Sequence, residues 1–252
     1  MTAHPRTGIA PLTVRTTTPT APPSGPPVLL VHGFTSDGTA DWADAGWPQE
    51  LAAAGRTVIV PDLRGHGASP APSDAAQVTA TAMVDDLVAA LGGATVVDVI
   101  GYSLGARLAW ELPRHPAVTV RKMILGGLSP VEPFGAVDVD AIHTHLGGGD
   151  APADGLTAMI TTMITTPGRN AAALATCIEG LRAEPFAPQD TRFDTPTLFV
   201  AGDADPMTAG IDDLAALIPG ATVVRVPGDH HGALTSTEFR STAQEFLAAP
   251  AS

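Results

Sequence analysis

Short apolar runs recur along the chain, each closed by glycine, proline or a polar residue. They fall at 28–31, 57–60, 96–100, 122–125, 197–201 and 222–226. Several are apolar at successive positions rather than alternating, the pattern of strands covered on both faces in a parallel sheet. Between them lie stretches with helical spacing, at 47–54, 74–91, 104–114, 207–218 and 236–248. Strand and helix alternating over this length predict an α/β fold, a doubly wound and mostly parallel sheet. One interval breaks the rhythm. No convincing strand stands between Gly126 and Asp194, where Pro130, Pro133, Pro152, Pro167 and three consecutive glycines at 147–149 interrupt apolar helical pieces. The best of these are 156–164 and 171–181. The interval is read as a helical cap, 129–193, inserted into a core made of 28–128 and 194–252. Such an insert is expected over the carboxyl ends of the strands, where ligands bind in these sheets, with the glycine run as a candidate hinge. Residues 1–27 are rich in Pro and Thr and predict an extended arm with a short edge strand near 11–16.

Composition narrows the class. The chain has 252 residues, 44% hydrophobic, enough for a large core. Asp and Glu number 26 against 13 Lys and Arg, a net charge of −13 that repels phosphate backbones and anionic lipid. Neither nucleic acid nor membrane is expected as a partner. The single cysteine, Cys177, excludes an internal disulfide and a thiolate-rich metal site and is expected as a small buried hydrophobe. The opening MTAHPRTGIAPLT has no apolar stretch of the export type, and no run reaches the roughly 18 apolar residues of a membrane span. A cytoplasmic protein is the expectation.

The densest chemistry lies at Gly101-Tyr102-Ser103-Leu104-Gly105, after a predicted strand and at the start of a predicted helix. G-x-S-x-G in that setting is a nucleophile elbow: the turn is so tight that the positions two before and two after the serine must be small. A serine hydroxyl needs a base to take its proton, and in this arrangement the order is Ser, then Asp or Glu, then His. Gly202-Asp203-Ala204-Asp205-Pro206 and Gly228-Asp229-His230-His231-Gly232 each follow a predicted strand and supply that order. Asp205 is preferred over Asp203, because Pro206 can open the next helix. His230 is preferred as base, with His231 the alternative. The oxyanion donors are expected from the N–H groups of Leu104, after the nucleophile, and Phe34, in the loop after the first buried strand. His32 is read as a brace for that loop.

Taken together, LLVHGF, PDLRGHGAS, GYSLG, GDADP and GDHH resemble the α/β-hydrolase superfamily, in order and over about residues 28–247. The resemblance implies Ser103 as nucleophile, Asp205 as acid and His230 or His231 as base, with Phe34 and Leu104 as oxyanion donors. It leaves Asp62 and Arg64 a structural role, bonded to backbone. It implies no cofactor and no metal; the His143/His145 pair beside Asp138 and Asp140 lacks a diagnostic ligand spacing. Haloalkane dehalogenases and epoxide hydrolases of the superfamily use a carboxylate where Ser103 stands.

The expected pocket residues are Tyr102, Phe134, Ile142, Met159 and Met163, with no Arg or Lys plainly placed for a substrate carboxylate. A small-molecule substrate with a small to medium, mostly apolar acyl group follows. The expected activity is that of a carboxylesterase-like serine hydrolase cleaving an ester, lactone or thioester. C–C hydrolysis, acyl transfer or perhydrolysis by the same triad is the alternative, and a binding protein without catalysis is further off.

Overall fold

The computed structural model describes residues 9–190 and 192–250. The first eight residues of the expected arm lie outside the described residues. Seven strands form one sheet: β1 (Val14–Thr17), β2 (Val28–Val31), β3 (Val58–Pro61), β4 (Val96–Tyr102), β5 (Thr119–Gly126), β6 (Thr197–Gly202) and β7 (Thr222–Val226). Their order is β1-β3-β2-β4-β5-β6-β7, with β1 antiparallel to β3 and every other pair parallel. The arm thus closes one edge of the sheet with its own strand.

Period-two alternation divides the sheet's side chains between two cores. Leu29 and Val31 of β2 face one side with Val97, Val99, Met123, Leu125 and Phe199. Val28 and Leu30 face the other with Val58, Val60, Ile100, Ile124, Leu198 and Val200. Both rows are buried because helices cover both faces. Helices α1 (Trp47–Ala53), α8 (His230–Thr235) and α9 (Thr237–Ala248) cover the second row through Trp47, Leu51, Leu234 and Phe239. Helices α2 (Ala80–Ala90), α3 (Leu104–Glu111) and α7 (Ile211–Ala215) cover the first through Met83, Leu87, Leu108, Trp110 and Leu214.

Between β5 and β6 stand three helices, α4 (Val139–Leu146), α5 (Gly155–Ile164) and α6 (Ala171–Ala183). Each starts on an Asx residue whose side chain accepts an N–H three residues on: Asp138 from Ala141, Asp154 from Thr157 and Asn170 from Ala173. Their apolar faces, among them Ile142, Ile160, Leu174 and Ile178, join the same core as β2 and α3. The glycine run is the end of α4 rather than an open strap. Gly147, Gly148 and Gly149 donate to the carbonyls of His143, His145 and Thr144, and Gly148 takes φ +92°.

Three expected helices are shorter than their spacing indicated. The 74–91 stretch breaks where Thr79 turns extended and its side chain caps α2 through Ala82 N–H. The 207–218 stretch breaks at Gly210, φ +85°. The 104–114 stretch ends as an α-helix at Glu111 and tightens into a 3₁₀ turn containing Pro113.

Candidate active site

Ser103 follows β4 directly and opens α3 with φ 52° and ψ −114°, a positive φ on a residue with a side chain. A conformation of that kind costs on the order of 1–3 kcal/mol and persists only where the surroundings impose it. Here they do. Ser103 N–H donates to Gly126 O at 2.8 Å, and Ser103 O accepts the first helical bond, from Arg107 N–H at 3.0 Å. A Cβ on Gly105 would lie well inside 3.0 Å of the Val31 carbonyl, and one on Gly101 equally close to the Gly105 carbonyl. The two glycines of the motif let strand, turn and helix pack backbone to backbone.

Asp205 leaves the end of β6 and caps a short 3₁₀ turn that begins at Pro206. Its carboxylate is fully buried: Oδ1 accepts Met207 N–H at 2.9 Å, and Oδ2 stands 2.7 Å from His230 Nδ1. An acceptor at Nδ1 places the proton there and leaves Nε2 with the free lone pair of a base. His230 opens α8, and Asp229 caps that helix by accepting from His231 and Gly232 N–H. The Asp229 carboxyl is held below the usual carboxylate range by those two bonds. His231 is exposed, and Asp203 accepts Gly228 N–H at 2.9 Å, so neither takes part in the Asp205–His230 pair.

The loop after β2 stands against the serine. A Cβ on Gly33 would be 3.5 Å from Ser103 Cβ. Buried Asp41 shapes this loop: its Oδ2 accepts Gly33 N–H at 2.8 Å, and its Oδ1 accepts the Ser36 hydroxyl. Thr35 turns through φ 63°. Among the described residues the N–H groups of Phe34 and Leu104 have no acceptor. His32 braces the loop as its position suggested. Its Nε2 accepts Leu63 N–H at 2.9 Å and its Nδ1 lies 2.8 Å from Gly33 O, while burial pushes its pKa down. Asp62 accepts Gly38 and Ala68 N–H, as expected, and also pairs with Arg15. Arg64 donates to the Ala10 carbonyl at 2.9 Å, as expected, and also pairs with the Asp86 side chain at 2.7 Å.

A narrow cavity of about 40 Å³, open at its mouth, adjoins Ser103. Phe34, Leu104, Leu128, Phe134 and Phe186 wall it, and Val131 and Met207 are exposed residues of its lining. Of the pocket residues expected from sequence, Phe134 lines this cavity. Tyr102 instead lies behind the histidine, its ring 5.5 Å from His230 and its hydroxyl donating to His230 O at 2.6 Å. Ile142 is on the buried face of α4, in the core. Met159 and Met163 lie on the exposed face of α5. Apolar character cannot separate a cavity wall from a core position or an exposed helix face.

Arg107 was missed. It lines the cavity, is 4% exposed and stands 2.9 Å from Glu132 Oε2. The signal was its spacing: four residues after Ser103 on one helix is the same face. Burial pushes its pKa down and Glu132 partly restores it. His143 pairs with Glu179, and no group of three metal-ligating side chains occurs among the described residues. No helix among them is long and apolar enough to cross a membrane.

Comparison with known proteins agrees with this architecture. One relative is Epoxide hydrolase 3 of Siraitia grosvenorii, 38% identical over 92 residues, covering 34% of this chain and 27% of that protein. Another is the 2-hydroxymuconate semialdehyde hydrolase of Pseudomonas sp. (strain CF600), 34% identical over 111 residues, covering 43% of this chain and 38% of that protein. The chain therefore matches well under half the length of these curated relatives. The crystal structure of the enol-lactonase from Burkholderia xenovorans LB400 superposes with a TM-score of 0.70 at 20% identity, over 94% of this chain and 96% of that one. The sequence model of the alpha/beta hydrolase fold family matches residues 26–153, half of the chain and the part that carries both the loop after β2 and the turn at Ser103, and the chain belongs to that family.

Proposed function

We propose that the protein is a serine hydrolase that cleaves a carboxylic ester, lactone or thioester through an acyl-enzyme on Ser103. The observation that carries this reading is a strained serine at the start of α3 together with an Asp205–His230 couple at 2.7 Å whose carboxylate is buried, each just beyond the carboxyl end of a parallel strand. In the reaction, Ser103 Oγ attacks the carbonyl carbon and its proton passes to His230 Nε2. Asp205 stabilises the imidazolium that results. The N–H groups of Phe34 and Leu104, with the start of α3, hold the oxyanion. The tetrahedral intermediate collapses, the bond to the leaving oxygen or sulfur breaks, and His230 returns the proton to it. Water then repeats the sequence on the acyl-enzyme.

Acyl chemistry is favoured over epoxide opening despite the name of the Siraitia grosvenorii relative. Serine attack on an epoxide carbon yields an ether, which offers water no carbonyl to add to and ends turnover. The largely apolar lining supports a mostly apolar acyl group. Hydrolysis of p-nitrophenyl acetate, butyrate and octanoate by the wild type and Ser103→Ala tests the reading. Loss of the nucleophile is expected to cost on the order of 10⁶ in kcat. Equal rates in the two proteins would refute it.

A further inference from the structure

A second cavity, of about 360 Å³, opens between the arm, the end of α1 and the end of α9. Leu51, Ala54, Arg56, Arg121, Gln244 and Leu247 are in its wall. Its charged part is built on Asp98, which is fully buried and stands five residues before Ser103 on β4, about 16 Å along the strand. The cavity therefore belongs to the end of the sheet away from the serine. Arg121 spans the Asp98 carboxylate, Nε donating to Oδ1 at 2.8 Å and Nη2 to Oδ2. Arg56 Nη2 donates to the same Oδ2, and Arg56 Nε donates to Pro26 O at 2.9 Å. In both guanidinium groups the Nε–Nη2 edge is thus occupied. The Nη1 corner of each has no acceptor among the described residues, yet it is not buried from solvent.

A β-bulge produces this arrangement. Val97 pairs with Val120 and Asp98 with Lys122, so Arg121 is the extra residue of β5. Val120 and Met123 point into the core that holds Leu29 and Val31, whereas Arg121 and Lys122 between them both reach carbonyls at the end of α9. One carboxylate against two guanidinium groups leaves one positive charge unbalanced, in a chain whose net charge is −13. Glu50, bonded to Gln244 in the cavity wall, is itself paired with Arg240. Burial first, then the Arg121 charge, push the Lys122 pKa down, so Asp98 does not cancel the field of its two partners.

We propose that this cavity binds a small organic monocarboxylate, its carboxylate taken by the free Nη1 donors of Arg56 and Arg121 and its apolar body lying against Leu51, Ala54 and Leu247. The site is separate from the hydrolase reading and does not depend on it. Charge sets the head group: one carboxylate balances the cluster, whereas a phosphate ester, at about −1.5 to −2, would leave an excess of negative charge. Guanidinium groups also suit a planar carboxylate. The lining sets the body, and the volume lies in the range of small-molecule sites, roughly 300–1,000 Å³.

The test follows the backbone amide signals of the 15N-labelled protein by NMR during titration with benzoate, with benzamide and with inorganic phosphate. Benzoate is expected to move the signals of Arg56, Arg121 and Leu247 saturably. Benzamide, similar in shape but uncharged, should bind there about tenfold more weakly, the worth of one charge-assisted hydrogen bond. Arg121→Gln leaves Arg56 on Asp98 and should weaken benzoate by a similar factor. If that variant fails to fold, the contrast between benzoate and benzamide in the wild type decides. Benzoate that leaves these signals still, or moves only those around Ser103, overturns the inference. Benzamide binding as tightly as benzoate overturns it too, as does phosphate binding as tightly as benzoate.

Discussion

His66 is buried against His32 and Phe34, its Nδ1 3.1 Å from Arg64 O and its Nε2 without a partner among the described residues. Burial first, then the His32 ring, pushes its pKa down to about 3. Between pH 6.5 and that value the unfolded chain binds a proton that the folded chain refuses. Stability from this residue is thus complete above pH 6.5 and falls with acidification at up to about 1.4 kcal/mol per pH unit. His32 is shifted the same way and adds to the effect. Urea unfolding at pH 7.5, 6, 5 and 4.5 should show the midpoint falling with pH, and His66→Asn should show a shallower fall. Parallel slopes in the two proteins would refute the assignment. At this scale Ser103 was legible because its motif is local. The pairing of His230 rather than His231 was not, since adjacent residues share all their sequence context and differ only in which one the start of α8 turns toward Asp205.

Among the elements, one nearly buried ion pair ties the stretch between β5 and β6 to α3. Glu132 accepts from the backbone of Phe134 and Phe186 and contacts Arg107, both charged side chains being nearly buried. Removing one partner of such a pair strands the other charge and typically costs 3–5 kcal/mol. Glu132→Ala is therefore expected to lower unfolding stability by about 3 kcal/mol in chemical denaturation, and Glu132→Gln by less. A change below about 1 kcal/mol in Glu132→Ala would show that the pair is not needed. The three helices here illustrate partial legibility. α5 and α6 were visible from apolar spacing, and α4 was signalled only by its Asp138 cap and the glycines that end it. Element ends were the weakest feature, because Thr79, Gly210 and Pro113 each stop a helix that the apolar spacing would have continued.

For the molecule as a whole, the apolar faces of α4, α5 and α6 belong to the same core as β2, β4 and α3. Shared burial of this kind predicts that the inserted helices do not unfold before the sheet. Trp42 and Trp47 pack on the other face of the sheet and report on the remainder of the fold, whereas Trp110 packs against Phe186 and Phe193. Far-ultraviolet circular dichroism also reports on the inserted helices. The two signals are expected to give one midpoint in urea, and an earlier circular dichroism transition would mark the insert as a separate unit.

The sequence by itself determined the fold class, the strand sites and the order serine, aspartate, histidine, because each rests on short-range pattern: apolar runs, tight glycine turns, and loops at strand ends. It also determined that Cys177 is buried, where its thiol is pushed up to about 12. Only the tertiary structure decided which histidine meets the acid, that Asp41 shapes the loop after β2, and that Arg107 rather than Met159 or Met163 faces the cavity. These depend on contacts between residues far apart in the chain, whose direction no local pattern encodes. Apolar spacing reports that a face is covered, and the covering partner sets whether it meets core, solvent or substrate.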